Sequence, residues 1–248
     1  MTIQSTANHQ DGYLPAILCL HGAGTNATIF NLQARTIVRC LKHKFRFIFV
    51  NAPFESLPGP GVIPTFAEIR PYLRWHCDEN AIQEFDVSPE LVDNERRLVR
   101  SMISDKIEQE ATGPSLGIVG VMAFSQGTRV ATGLCLDPEF GSSIQFAIII
   151  AGTFPALSLE NPVSDSETTN LFSGINGNKH EQLQIPSVHV QGTMDPWGPE
   201  SARLLKECWS ADLAMVVKFH GAHQVPTSKK DAQAVAQAVL SCWDSAQT

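Results

Sequence analysis

The sequence predicts an α/β fold with a mostly parallel central sheet and helices on both faces. Three observations carry that expectation. Short apolar runs alternate with stretches of helical periodicity along the chain. Most of the runs are continuously apolar, as in strands covered on both faces. The 248 residues, 43% of them hydrophobic, suit one large domain with a full core.

The elements follow in order. Strands are expected at Ala16–Leu20, Phe45–Val50, Gly117–Phe124, Phe146–Ala151, Ser187–Gly192 and Met215–Phe219. Phe30, Ala34, Ile37, Val38 and Leu41 line one face of the first helix. Ser88-Pro89-Glu90 reads as an N-cap, a first-turn proline and an acid at the positive helix end. The stripe expected behind it holds Leu91, Leu98, Val99, Met102 and Ile103. Val130, Leu134 and Cys135 mark a helix after Ser125, and Pro199 opens another through Leu204, Leu205 and Cys208. Ala232, Val235, Ala236, Val239, Leu240 and Trp243 stripe the last. Such alternation predicts right-handed crossovers around a parallel sheet. With no internal repeat and no second core, residues 1–248 read as a single domain. Insertions at about 54–87 and 155–185 interrupt it as lid or pocket loops, since connections that long are usually functional.

Net charge is −7, and the short basic clusters Lys42 to Arg46 and Lys229-Lys230 cannot track a phosphate backbone, so no nucleic-acid partner is expected. The polar N-terminus has no apolar signal region, and the stretch FAIIIAG is too short to span a bilayer. Six scattered cysteines without CxxC spacing read as reduced thiols. No membrane association and a cytoplasmic location are the simplest expectations.

The chemistry concentrates at "VMAFSQGTRV". An apolar strand ends at Phe124, Ser125 follows, and a helix starts at about Gln126, which is the strand–Ser–helix context of a nucleophile elbow. Gly127 is needed where any side chain would crowd the strand. The alternative is a serine that merely caps a helix. A nucleophilic serine needs a base, and the base an orienting acid, in the order Ser, Asp, His. Asp195 follows one strand in "SVHVQGTMDPWG", and His223 follows the next in "MVVKFHGAHQVP". Asp195 also suits a simple turn before Pro196. His220 competes with His223, but Gly221 and Ala222 free the loop for His223, and His220 reads as structural. His189, inside a strand, reads as a satisfied core residue. Gly22 and Gly24 in "CLHGAGTNATIF" let a loop approach a reacting carbonyl, so the N–H groups of Ala23 and Gln126 form the expected oxyanion hole. His21 reads as a brace for that loop and Asn26 as a helix cap. His76-Cys77-Asp78 lacks a second group at ligand spacing, and no metal is expected.

Together "ILCLHGAG", "FVNAPFE…GPG", Trp75, "FSQGT", "HVQGTMDPW" and "GAHQVP" resemble the fungal serine hydrolase family of α/β-hydrolases. That family includes the thioesterase of lovastatin biosynthesis. The resemblance runs from about residue 16 to 243. It implies an α/β-hydrolase fold, hydrolysis of acyl esters or thioesters without a cofactor, and Ser125, Asp195 and His223 as nucleophile, acid and base. It also implies a polyketide thioester on an acyl carrier protein, released as free acid or lactone. The sequence departs from the family in two places. Ala123 stands where the elbow usually has Gly, and "HGAH" replaces the commoner Gly-Gly-His.

Phe54, Phe66, Tyr72, Leu73 and Trp75 are expected to wall an acyl pocket, joined by Phe154 and Trp197; a satellite core beneath a long loop is the alternative. Arg70 or Arg74 meets an acidic carrier or a carboxylate, or simply solvent. A general carboxylesterase or acyl-protein esterase shares the same triad, and a non-catalytic binding module on the same scaffold is a third reading.

Overall fold

Alternate residues of the first strand point into two different apolar layers, and the domain is organised around that division. The computed structural model describes residues 14–77, 88–113, 115–159 and 182–247. The insertion segments 78–87 and 160–181 lie outside the described residues.

Eight strands are present among the described residues: β1 (Ala16–Leu20), β2 (Arg46–Val50), β3 (Phe54–Glu55), β4 (Leu73–Arg74), β5 (Ile118–Phe124), β6 (Phe146–Ile150), β7 (Ser187–Gly192) and β8 (Ala214–Phe219). Six form one sheet in the order β2-β1-β5-β6-β7-β8, with every neighbouring pair parallel. Strands β3 and β4 form a small antiparallel pair inside the first insertion. The sheet grows first to one side of β1 and then to the other. This reversal opens a crevice at the carboxyl ends of β1 and β5, the position where open α/β sheets bind ligands.

Helices α1 (Ala27–Leu41) and α5 (Lys229–Ala246) cover one face; α2 (Pro89–Thr112), α3 (Gln126–Leu136) and α4 (Gly198–Cys208) cover the other. Phe30 and Ile37 of α1 and Val235 and Val239 of α5 pack on Ile17, Cys19, Met122 and Ile148. Val99, Ile103, Val130, Leu134 and Leu204 pack on Leu18, Leu20, Val121 and Ile149. Each such buried Val, Leu, Ile or Phe contributes roughly 1.5–3 kcal/mol, so two-sided burial outweighs any single cap or ion pair. Local signals set the helix starts. Asn26 Oδ1 accepts from Ile29 N at 2.9 Å, and Ser228 Oγ from Asp231 N at 3.1 Å. Ser88 Oγ accepts from Leu91 N at 3.3 Å.

Several expectations need correction. The strand starts move by a residue: Phe45 is a core residue just before β2, Gly117 precedes β5, and β8 begins at Ala214. Ala151 lies beyond β6 at φ 47°. The edge strands are only partly covered, because each lacks a neighbour on one side, and Met215 and Val216 of β8 are exposed. In α2 the expected stripe is misplaced. Leu91 and Leu98 are exposed, and the buried face runs through Val92, Glu95, Arg96, Val99 and Ile103. A charged residue on that face has an inward partner: Arg74 donates to both Glu95 oxygens, at 2.8 and 2.7 Å. Burial alone would raise the Glu95 pKa. The hydrogen bonds and charge of Arg74, with the Cys77 N–H, outweigh burial and hold it below the usual carboxylate range.

Candidate active site

At the end of β5 the chain turns sharply enough to put Ser125 at φ 51°, ψ −123°, a conformation unfavourable for a residue with a Cβ. Two glycines permit the turn. A Cβ on Gly127 would lie 2.4 Å from the Leu20 carbonyl oxygen and 2.6 Å from that of His21. One on Gly22 would lie 2.9 Å from the Phe124 ring. Ala123, in place of the usual glycine, is fully buried between β1 and β6, and the turn forms around it. The Ser125 carbonyl accepts from Thr128 N at 2.9 Å, Thr128 Oγ1 at 2.6 Å and Thr153 Oγ1 at 3.2 Å. These donors fasten the strained turn.

The loops after β7 and β8 meet the serine. His223 Nε2 lies 2.8 Å from Ser125 Oγ, and His223 Nδ1 lies 2.9 Å from Asp195 Oδ2. With the imidazole proton on Nδ1 donated to the carboxylate, Nε2 is left to accept the serine hydroxyl. Asp195 Oδ1 accepts from Trp197 N at 2.8 Å, so both carboxylate oxygens are held. The Asp195 side chain is 2% exposed and that of His223 14%, which shields the relay while leaving the imidazole edge open. The His223 ring has two aromatic neighbours, Trp197 with centroids 4.5 Å apart and Phe124 with centroids 5.2 Å apart. Gly192 lets the two loops touch, because a Cβ there would lie 2.4 Å from the Ala222 carbonyl oxygen.

His220, expected to be structural, is exposed one residue beyond β8. His189 is buried, with Nε2 3.1 Å from Ser187 Oγ, but its Nδ1 has no hydrogen-bond partner among the described residues, against the expectation of a satisfied residue. Burial lowers its pKa to about 3. His21 does brace the loop after β1. Its Nε2 accepts from Ala52 N at 2.9 Å, which puts the proton on Nδ1, 2.8 Å from the Gly22 carbonyl oxygen. Burial outweighs that bond and lowers the His21 pKa to about 4, so the ring is neutral.

A cavity of about 410 Å³ opens at Ser125, lined by Ala23, Pro60, Gln126, Arg129, Thr153, Phe154, Trp197, Glu200 and His223. Ala23 and Gln126 both reach it, and the first-turn N–H of α3 has no carbonyl four residues back within the helix. Phe154 and Trp197 line the cavity as expected; Phe54, Tyr72 and Trp75 are not among its lining residues. Trp75 is fully buried and donates from Nε1 to the His21 carbonyl at 2.7 Å. Tyr72 is buried beside Ile29 and Val62, its hydroxyl donating to the Phe66 and Ala67 carbonyls. Phe54 packs at the core edge under the Arg74 guanidinium, 5.0 Å from its ring centre. The insertion thus spends these aromatics on holding itself down. Arg74 is engaged by Glu95, and Arg70 lies 5.4 Å from the Tyr72 ring centre. Thr128, Arg129, Thr153 and Glu200 carry no signal of their own in the sequence; Thr128 and Arg129 lie inside "VMAFSQGTRV", the segment that invited attention, and Thr153 and Glu200 do not.

A parallel sheet of this order, with hydroxyl, carboxylate and imidazole presented beyond β5, β7 and β8, defines an α/β-hydrolase. The serine hydrolase (FSH1) family matches residues 13–235, and the chain belongs to that family. It is 30% identical over 236 residues to the esterase FUS5 of Gibberella moniliformis, covering 94% of this chain and 89% of that one. It is 33% identical over 256 residues to the esterase pigG of Monascus ruber, covering 92% and 91%. The crystal structure of Zea mays acyl-protein thioesterase 2 shares the fold at 15% identity, with a TM-score of 0.54 over 92% of this chain and 94% of that one. Among the described residues no helix is long and apolar enough to cross a membrane, and no group of three or more His, Cys, Asp and Glu is placed to hold a metal. Cys19, Cys40, Cys135, Cys208 and Cys242 are free thiols.

Proposed function

We propose that the protein is a serine esterase or thioesterase that cleaves acyl (thio)esters through a covalent acyl-enzyme. The carrying observation is the continuous relay from Ser125 Oγ through His223 to Asp195 at 2.8 and 2.9 Å. His223 takes the hydroxyl proton as Ser125 attacks the acyl carbonyl. The N–H groups of Ala23 and Gln126 receive the developing oxyanion, and Asp195 holds the tautomer and balances the imidazolium. His223 returns the proton to the departing alcohol or thiol. Water activated by the same imidazole then attacks the acyl-enzyme and frees the acid. The cycle uses no metal and no organic cofactor.

The finer reading is that the substrate is a polyketide thioester carried by an acyl carrier protein. It rests on the ordered resemblance of nearly the whole chain to a family with a chain-releasing member. The product is a free acid, or a lactone where a hydroxyl of the acyl chain outcompetes water. Labelling with a fluorophosphonate tests the chemistry: wild type is labelled at Ser125, Ser125→Ala is not, and a label on another serine overturns the assignment. Turnover of a carrier-bound hydroxyacyl thioester against the matching simple ester tests the substrate. A preference for the simple ester leaves a general carboxylesterase and removes the carrier protein.

A further inference from the structure

The two N–H groups assigned to the oxyanion come from segments about a hundred residues apart in the chain, so their separation is set by whatever joins those segments in space. One short stretch touches both. On the side of Ala23, Gly24 N donates to the Leu73 carbonyl and Leu73 N to the Thr25 carbonyl, each at 2.8 Å, forming an antiparallel bridge. The Trp75 indole N–H donates to the His21 carbonyl at 2.7 Å, and the Trp75 and His21 rings lie 5.2 Å apart. On the other side, Trp75 N donates to Gln126 Oε1 at 2.9 Å, and Gln126 Nε2 donates to the His76 carbonyl at 3.0 Å. Glu95 of α2 anchors the stretch from outside, holding Arg74 and accepting from Cys77 N at 2.9 Å. Trp75, His76 and Gln126 are all buried.

We infer that Leu73–His76 is a splint that fixes the oxyanion hole, with Trp75 and the Gln126 side chain as its positioning residues. The inference rests on the Ala23 and Gln126 amides acting as the donors. Trp75 ties the two arms together: its side chain grips the loop after β1, and its backbone grips the residue that follows the nucleophile. The Gln126 amide answers from the other side, so the residue supplying one N–H is itself clamped through its side chain. This gives the buried tryptophan of the insertion a role in the reaction without contact with the substrate. An N–H displaced from the oxyanion loses stabilisation in the transition state and little in the ground state, so the splint acts on kcat.

Two variants test this. Trp75→Phe keeps a ring in the core and removes the indole N–H. Gln126→Met keeps the side-chain length and removes both amide contacts without adding charge. Each is measured as kcat per active site titrated by a fluorophosphonate, as KM for a short ester, and as Ki for a trifluoromethyl ketone. The ketone places a hemiketal oxyanion where the tetrahedral intermediate puts its own. The expected result is a fall in kcat per titrated site of about tenfold or more, KM within about twofold of wild type, and Ki raised by the same factor as kcat falls. Activity lost only through fewer titratable sites, each at full kcat, is the behaviour of a packing residue and overturns the splint. So does a fall in kcat with unchanged ketone affinity. The underlying reading is tested separately: a wild type labelled at a residue other than Ser125 sinks the catalytic assignment before the variants are compared.

Discussion

Gly127→Ala is the smallest change that should disable the site while sparing its three polar side chains. The added Cβ would lie 2.4 Å from the Leu20 carbonyl oxygen and 2.6 Å from that of His21. Ordinary contact needs roughly 3.4 Å, so the start of α3 must retreat from β1 by about 1 Å. Neither obstacle is the flexible end of a side chain, because both are backbone in a buried strand and its exit. Overpacking of this kind costs about 1–3 kcal/mol, or a melting temperature lower by about 2–12 °C for a chain of this size. The retreat also carries Ser125 and the Gln126 N–H away from the loop that bears Ala23. A 1 Å displacement of catalytic groups costs about a hundredfold in rate. The assay is kcat per titrated site on a short ester, with thermal melting alongside. Gly198→Ala is the control, since a Cβ there meets nothing within 4 Å, and it should leave both readings unchanged. A Gly127→Ala enzyme within about threefold of wild type in kcat would show that the elbow tolerates movement, and would refute the geometric argument.

Asp195→Asn should keep the Trp197 N–H bond but favour the wrong imidazole tautomer, lowering kcat by about 10⁴ with little change in melting temperature; a loss below about tenfold would remove the carboxylate from the mechanism. Glu95→Ala removes the buried acceptor shared by Arg74 and Cys77 N and should cost about 1–3 kcal/mol, read as a lower urea midpoint; an unchanged midpoint would show the pair to be replaceable by solvent. His21 and His189 are kept neutral by burial, with pKa lowered to about 4 and about 3 from 6.5. Between those values and 6.5 the unfolded chain binds protons that the folded one does not. Their contribution is therefore complete above pH 6.5 and is lost as pH falls, by about 1.4 kcal/mol per pH unit for each histidine. Melting temperatures should hold from pH 7.5 to about 6.5 and fall from there to pH 5, and a flat profile would mean that both rings charge inside the fold.

What could be read from residue order was limited by which groups pair across the fold. Ser125, Asp195 and His223 each follow an apolar run, and strand ends in a parallel sheet share one rim, so their meeting was open to inference. The stripe of α2 was not. Glu95 looks like a solvent residue until Arg74, which lies in the insertion, is placed against it. Leu91 and Leu98, apolar at nearly the right spacing, took its place in the reading. The aromatics of the insertion misled for a related reason. Whether a tryptophan near an active site lines a cavity or lies beneath it depends on what receives its N–H, and for Trp75 that is a carbonyl more than fifty residues earlier. Thr153 gave no signal, because a hydroxyl supporting another residue's carbonyl leaves no periodicity.

The position proposed to carry the nucleophile is also one of two non-glycine residues at positive φ among the described residues. A φ of 51° with ψ of −123° belongs to glycine, and holding a side chain there costs on the order of 1–2 kcal/mol. Folding by itself therefore disfavours serine at residue 125, and the proposed chemistry is what would retain it. A lineage released from the need for activity would gain stability by drifting to glycine at this position, so the residue found there reports directly on whether a descendant still works.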